Sequence, residues 1–157
     1  MKLHVIFTGK TVGNLYQDAI SDYSKRLGHY VSFSIEELPD LKNTKSLSIE
    51  QQKEREADML FERLQQGDVL VLLDERGKEF TSREFSAYIE QKLQTVNKRL
   101  VFLIGGPYGF SQRVYDAAQG KISLSKMTFN HQMVRLFLVE QIYRAFAIMR
   151  GEPYHHD

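Results

Sequence analysis

The sequence contains no cysteine, which excludes disulfides, thiolate zinc sites and cysteine nucleophiles. It also lacks any run approaching roughly eighteen apolar residues, so no transmembrane helix is expected. Neither sign of charge prevails, because 21 lysines and arginines stand against 20 acids. Proteins that bind free nucleic acid through their net charge are usually far more basic. A nucleic-acid partner would therefore have to be recognised through a local patch or as part of an assembled target.

We expect no secretory signal either. Met1 to Phe7 place one lysine before a short apolar run without a small-residue cleavage pattern, and this predicts a strand. We therefore expect a cytoplasmic protein. The composition, 42% apolar and 26% charged over 157 residues, is typical of a soluble globular chain. Because no linker, repeat or low-complexity segment interrupts it, we expect one domain over residues 1–157.

Apolar periods of two and of 3.6 residues alternate along the chain and predict its elements. Strands are expected over 2–8, 31–36, 68–74, 100–104 and 122–124, and helices over 12–27, 49–64, 82–93, 112–118 and 131–149. Ser48 with Gln51, and Thr81 with Glu84, form capping-box patterns ahead of two helices. The strands at 68–74 and 100–104 are apolar without alternation, as in parallel strands covered on both faces. The expected fold class is α/β, a parallel or mixed sheet with helices on both faces.

The last predicted helix is apolar around most of its circumference, whereas a surface helix in a small domain needs only one apolar stripe. Between Met133 and Met149 the charged and amide interruptions are Arg135, Glu140, Gln141 and Arg144. Because closed two-fold dimers are the commonest oligomers, this pattern predicts a homodimer with the helix in its interface. Burial of the helix within one chain is the alternative.

Three predicted strands end in loops where ligands bind in open α/β sheets, outside the carboxyl ends of the strands. The first is Gly105–Gly109, whose glycines let a backbone approach a ligand or simply form a turn. The second, Asp74–Lys78, offers acids for a ribose or a metal, or forms a solvated turn. Gly9-Lys10-Thr11 lacks the earlier glycine of a phosphate-binding loop and is set aside.

The third loop, Leu124–His131, mixes apolar side chains with hydroxyls, which suits a flat ring carrying a polar sugar. It could equally lead into the last helix, with Thr128 or Asn130 as the cap. His131 and Arg135 share one face at the start of that helix, where they would favour an anion or form a surface pair. The tail after Arg150 would be disordered, an appended tag or a metal-binding end, but its histidines lack zinc-site spacing and no metal is expected.

Several motifs occur together in order. They are L-D-x-x-G at 73–77, L-I-G-G-P-x-G at 103–109, S-L-S-K-M-T-F at 123–129, H-x-x-x-R at 131–135 and P-Y-H at 153–155. In this combination the chain resembles, over essentially its whole length, the RlmH family of ribosomal RNA large subunit methyltransferases. The resemblance implies the SPOUT fold, an α/β sheet whose C-terminal segment forms a trefoil knot, and a homodimer. It also implies methyl transfer from S-adenosyl-L-methionine to N3 of a pseudouridine in the helix 69 loop of 23S ribosomal RNA, in assembled ribosomes.

Carried over by position, the resemblance implies a set of cofactor-binding residues. They are Leu73, Gly105, Leu124, Ser125, Lys126, Met127, Thr128 and Phe129. Methyl transfer from a sulfonium mainly needs alignment of the nucleophile, and N3 of the pseudouridine must lose its proton. We hypothesise that Arg135 stabilises the resulting anion, that His131 or His155 is the base, and that Tyr154 stacks on or hydrogen-bonds the nucleobase. The tail would act in its own or the partner's pocket.

Three other functions stay open at this point. One is a SPOUT methyltransferase for a different rRNA base or a tRNA base. Another is a ribosome-associated factor without catalytic activity. The third is a flavodoxin-like nucleotide binder, which predicts a phosphate loop after the first strand, and Thr8–Gly13 is a poor match to such a loop.

Overall fold

A computed structural model describes all residues from Met1 to Asp157. Strands and helices alternate along the chain. The strands are β1 (Lys2–Thr8), β2 (Ser32–Leu38), β3 (Val69–Glu79), β4 (Arg99–Ile104) and β5 (Gly120–Ser123). The helices are α1 (Asn14–Leu27), α2 (Ile49–Arg63), α3 (Ser82–Thr95), α4 (Gln112–Ala117) and α5 (Met133–Met149), with a 3-10 turn at Thr44–Ser46. Both predicted capping boxes are confirmed, because the side chains of Ser48 and Thr81 each accept a hydrogen bond from the backbone N–H of the residue three positions later.

The five strands form one sheet in the order β2-β1-β4-β3-β5, and every pair is parallel. Helices cover both faces, so the predicted α/β class is confirmed. On one face Leu3, Val5 and Phe7 of β1 pack with α1, α3 and α5. On the other, Ile6 and Leu103 pack with α2 and α4. This double covering explains why β1, β3 and β4 carry nearly continuous apolar runs.

Strand β3 continues to Glu79, five residues beyond its predicted end. Leu73 and Lys78 both align with Ile122 of β5, so Asp74–Gly77 loops out of the ladder between them. An added Cβ at Gly77 would lie 2.5 to 2.7 Å from the backbone of Ile122. Only glycine fits this close approach, which gives the L-D-x-x-G motif a structural cause. The trefoil knot stays a prediction of the resemblance.

Helix α5 owes most of its apolar circumference to burial inside the chain. Its buried residues are Arg135, Leu138, Val139, Ile142, Ala145, Phe146 and Ala147. Met133 and Phe137, one turn apart, are 36% and 37% exposed. The alternative of a helix buried within one chain therefore accounts for much of the pattern, and the homodimer stays a prediction.

The guanidinium of Arg135 joins α5 to the end of β1. The residue is 1% exposed. Its guanidinium donates to the carbonyl oxygens of Thr8 and Gly9 and to Oγ1 of Thr11, each at 3.0 Å. It lies 4.8 Å above the ring of Phe7 and 3.7 Å from Glu37. Burial lowers the pKa of this group, and the charge of Glu37 opposes that effect.

We expect Arg135→Met to lower the free energy of unfolding by about 3 kcal/mol, because the buried carbonyl of Gly9 and the partly buried carbonyl of Thr8 lose their donor. Urea denaturation at one fixed protein concentration measures the effect. Arg55→Met, at an exposed position of α2, is the matched control and should change stability by no more than about 0.5 kcal/mol. Equal stability of Arg135→Met and the unsubstituted chain would contradict this anchoring role.

Candidate functional site

A cavity of about 650 Å³ lies at the carboxyl edge of the sheet. Its volume is within the range of small-molecule sites. The looped-out segment of β3 and the loops that follow β4 and β5 form its walls, together with the start of α2 and one side of α4. These are the three strand-end loops that the sequence singled out, so the parallel strands bring them together as expected.

All eight predicted cofactor-binding residues line this one cavity. They are Leu73, Gly105, Leu124, Ser125, Lys126, Met127, Thr128 and Phe129. His131 and Val134, at the start of α5, line it as well. The side chains offer apolar surface beside hydroxyls, and Met127 is 76% exposed at the rim. The cavity can thus receive a flat apolar ring and hydrogen-bond its polar edge.

The glycine loop, Gly105–Gly109, is both a tight turn and a cavity wall. The N–H of Gly109 donates to the carbonyl oxygen of Gly106 at 3.1 Å, and Gly109 has a φ of 81°. An added Cβ at Gly105 would lie 2.8 Å from the ring of Phe110. The turn interpretation of this motif is therefore confirmed, and the turn forms a wall of the cavity. Ligand binding by its backbone stays a prediction.

The loop after β5 also serves two purposes. Ser125 Oγ accepts from the N–H of Met127 at 3.0 Å, which closes a small turn beside the cavity. Asn130 Oδ1 accepts from the N–H groups of Gln132 and Met133 at 2.8 and 3.3 Å. Of the two residues that the sequence offered as a cap, Asn130 is thus the one that caps the turn leading into α5, whose own N-cap position is Gln132.

Asp74, at the start of the looped-out segment of β3, is held on both carboxylate oxygens. Oδ1 accepts from the N–H of Arg76 at 2.8 Å, and Oδ2 accepts from the hydroxyl of Tyr115. Burial of Tyr115 and this hydrogen bond raise the pKa of the phenol to about 12. The ring of Tyr115 meets Phe110 edge-on at 5.7 Å. Sequence reasoning missed Tyr115, whose only signal was its place on the short helix after the glycine loop.

The proposed catalytic residues are spread over three places. His131 is exposed at the cavity. Arg135 does not line the cavity, and its guanidinium is bound to the loop after β1 instead of facing a substrate oxygen. Tyr154 and His155 lie in the tail, which packs on its own chain and does not line the cavity either.

Glu140 and Arg144 hold the tail in a polar cluster, here called the tail cluster (Glu140, Arg144, Tyr154 and His155). Arg144 Nη2 lies 2.5 Å from Glu140 Oε1, and Nη1 lies 3.1 Å from Nδ1 of His155. The hydroxyl of Tyr154 donates to Glu140 at 2.9 Å and also contacts Tyr23. Burial, followed by these hydrogen bonds, raises the pKa of Tyr154. Glu140 and Arg144 were visible in the sequence only as interruptions of an apolar helix.

The tail cluster lies well away from the cavity of its own chain. Val134 lines the cavity, and Arg144 follows ten residues later on the same helix, a rise of about 15 Å. The two groups of candidate residues are therefore at opposite parts of α5. No three His, Asp or Glu side chains are grouped to hold a metal ion, and no helix is long and apolar enough to cross a bilayer.

Comparison with known proteins identifies the class. A family model described as "Predicted SPOUT methyltransferase" matches residues 1–155, and the chain belongs to this family of methyltransferases. Among individual relatives, a protein of Bacteroides fragilis is 61% identical, one of Parabacteroides distasonis 59% and one of Porphyromonas gingivalis 51%, each over 157 residues and the full length of both chains. All three are named ribosomal RNA large subunit methyltransferase H.

We expect Asp74→Asn to lower the pKa of Tyr115 from about 12 toward its ordinary value, because the carboxylate favours the neutral phenol. In the unsubstituted chain the folded state holds this proton more tightly, so the associated stability is present below the phenol's ordinary pKa and is lost as the pH rises through the folded value. NMR titration of labelled tyrosines, assigned with Tyr115→Phe, measures the shift. Asp18→Asn, at an exposed position of α1, is the control. An unchanged pKa of Tyr115 in Asp74→Asn would contradict the coupling between the two side chains.

Proposed function

We propose that the chain is an S-adenosyl-L-methionine-dependent methyltransferase acting on N3 of a pseudouridine in the helix 69 loop of 23S ribosomal RNA, in assembled ribosomes. The observation that carries the proposal is the convergence of eight residues from two strand-end loops and the end of β3 on one cavity in a SPOUT chain. The names of relatives 51% to 61% identical support a large-subunit rRNA substrate.

The residues of the cavity fit this cofactor. Leu73, Leu124 and Phe129 would contact an adenine ring, while Ser125 and Thr128 offer polar groups to its edge and to the ribose. The glycine loop lets its backbone approach the ligand closely. Bound there, the sulfonium supplies an activated methyl group, and the protein's task is to align the nucleophile with it.

On the substrate side, the proton of N3 must pass to a base before or during methyl transfer. His131 lines the cavity and is the first candidate, and His155 of the tail cluster is the second. A cation must stabilise the negative charge that develops on the nucleobase. We infer that Arg144, whose side chain is 23% exposed, takes this role across a dimer. The side chain of Arg135 is only 2% exposed and is bound to the loop after β1. Arg135 is then a positioning residue that fixes this loop to α5.

A homodimer would bring the tail cluster of one subunit to the cavity of the other. Within one chain the tail cluster and the cavity are separated along α5. The cavity of a single chain therefore has the cofactor-side residues but not the substrate-side residues of the tail cluster. An exposed apolar surface is available for the contact, formed by Met133 and Phe137 of α5 and by Val12, which is 66% exposed. The N–H of Val12 donates to Gln132 at 2.8 Å, so the loop after β1 lies beside the start of α5. This continuity supports an interface through α5.

The charge balance favours an assembled substrate. With a net charge of +1, the chain has little long-range attraction for naked RNA. Docking on a ribosome would provide further contacts, so that the methylated loop is recognised by shape and by unstacked bases.

Transfer of tritium from labelled S-adenosyl-L-methionine to whole ribosomes, free 23S rRNA and tRNA tests the substrate. We expect label in ribosomes and little in the free RNAs. Gly105→Val should reduce the activity at least about a hundredfold, because displacement of Phe110 reshapes the cavity and small misplacements cost this much. The matched control is Gly120→Ala, whose added Cβ meets nothing nearer than 3.7 Å and which should stay active.

Two results would contradict the proposed function. Methylation of tRNA but not of ribosomes would assign the enzyme to another substrate. Failure to bind S-adenosylhomocysteine at millimolar ligand would instead favour a ribosome-associated factor without catalysis. Calorimetry with the unsubstituted chain measures the binding of S-adenosylhomocysteine directly. It therefore distinguishes a chain that does not bind the ligand from a methylation assay that fails for another reason.

Mixing two inactive variants tests the shared site. Gly105→Val lacks a cavity and Arg144→Ala lacks an intact tail cluster, so each homodimer should be inactive. If the tail acts across the dimer, a heterodimer contains one complete site, and random exchange should restore about a quarter of the activity. If the tail acts in its own chain, mixing restores nothing. Arg144→Ala mixed with His155→Ala is the control, because no heterodimer of these two has an intact tail cluster.

A further inference from the structure

The start of α2 supplies a cation to the cavity. Glu50 and Lys53 both line it. The Lys53 side chain is only 18% exposed, and its Nζ lies 2.9 Å from Oε1 of Glu50, whose side chain is 74% exposed. An ion pair with so exposed an acid contributes little. Lys53, the fifth residue of α2, is therefore available to a ligand anion.

A second, much smaller cavity borders the glycine loop beside the main one. Its volume is about 10 Å³, enough for one water-sized group. It shares Lys53, Gly105 and Gly106 with the main cavity and adds Glu56 and Ser111. Ser111 is 1% exposed, and its hydroxyl has no hydrogen-bond partner. Buried hydroxyls are almost always hydrogen-bonded. The unpaired hydroxyl of Ser111 therefore indicates that a polar ligand group would occupy this small cavity.

Glu56 also lacks a partner. Its carboxylate forms no ion pair within the chain, and burial raises the pKa of the carboxyl. The carboxylate lies against Gly106, where an added Cβ would be 2.6 Å from Oε2 and 3.1 Å from Oε1. The glycine thus makes room for an acid that has no counter-charge. A partly buried carboxylate of this kind is stabilised by an approaching cation.

We propose that Lys53 and Glu56 form a subsite for the α-amino-acid end of the cofactor. Lys53 binds the carboxylate of this zwitterion, and Glu56, with the hydroxyl of Ser111, accepts hydrogen bonds from the ammonium group. The inference rests on the proposed function. The charges match in sign and number, and an ammonium group is about the size of the small cavity.

The position of α2 lets the subsite orient the cofactor. Helix α2 packs across the middle of the sheet, against Ile6 and Leu103, whereas the loop after β5 stands at the sheet edge. A ligand with its ring at the edge and its amino-acid end at α2 is held at both ends. Its central sulfur then lies over the glycine loop in one orientation, which is the alignment that methyl transfer requires.

Binding calorimetry with two ligands tests the subsite. S-adenosylhomocysteine carries the amino-acid end, whereas 5′-methylthioadenosine keeps the adenosine and the thioether but lacks that end. We expect Lys53→Met and Glu56→Gln each to weaken S-adenosylhomocysteine by about tenfold or more. Both should leave the affinity for methylthioadenosine unchanged. Glu62→Gln, at an exposed position of the same helix, is the control and should bind both ligands normally.

The outcomes separate the subsite from the function on which it rests. Unchanged binding of S-adenosylhomocysteine by both variants overturns the subsite. Equal weakening of both ligands also overturns it, since the effect would then not depend on the amino-acid end. If the unsubstituted chain binds neither ligand, the proposed function itself fails.

Discussion

The buried guanidinium of Arg135 links the first strand to the last helix. Its donors hold the carbonyls of Thr8 and Gly9, where the chain leaves the centre of the sheet. The start of α5 therefore has a fixed place relative to β1, and with it the loop that leads from β5 into α5. Because that loop forms one wall of the cavity, the shape of the cavity depends on an arginine that does not line it.

The elements and the parallel sheet were predictable because they follow from local patterns. Continuous apolar runs such as Leu100–Ile104 require covering on both faces, and the capping boxes at Ser48 and Thr81 mark helix starts by their own hydrogen bonds. The end of β3 was less predictable. Its residues after Asp74 look like a solvated turn, yet the chain returns to the sheet where Lys78 and Glu79 pair with β5, beside the close approach of Gly77 to Ile122.

The candidate site also has features that were predictable from the sequence and features that were not. The loops at strand ends were predictable, because parallel topology alone gathers them at one edge. The roles of single side chains were not, since they depend on neighbours distant in sequence. Arg135 and His131 share a helix face in the sequence, yet one is buried under the loop after β1 and the other is exposed. Asp74, the partner of Tyr115, and Gly106, against which Glu56 lies, are likewise on other segments of the chain, and no spacing in the sequence indicates these contacts.

The double alignment of β3 with Ile122 determines how far the length of this part of the chain can vary. Leu73 and Lys78 meet the same residue of β5, so the segment between them is closed at its base. Asp74 and Arg76 of that segment line the cavity, and Gly77 lies against the backbone of Ile122, so a residue gained there would change both the cavity wall and this close approach. One residue gained within β5 would turn every following side chain of the strand to the other face of the sheet. The number of residues is therefore constrained at 74–77 as well as at 120–123.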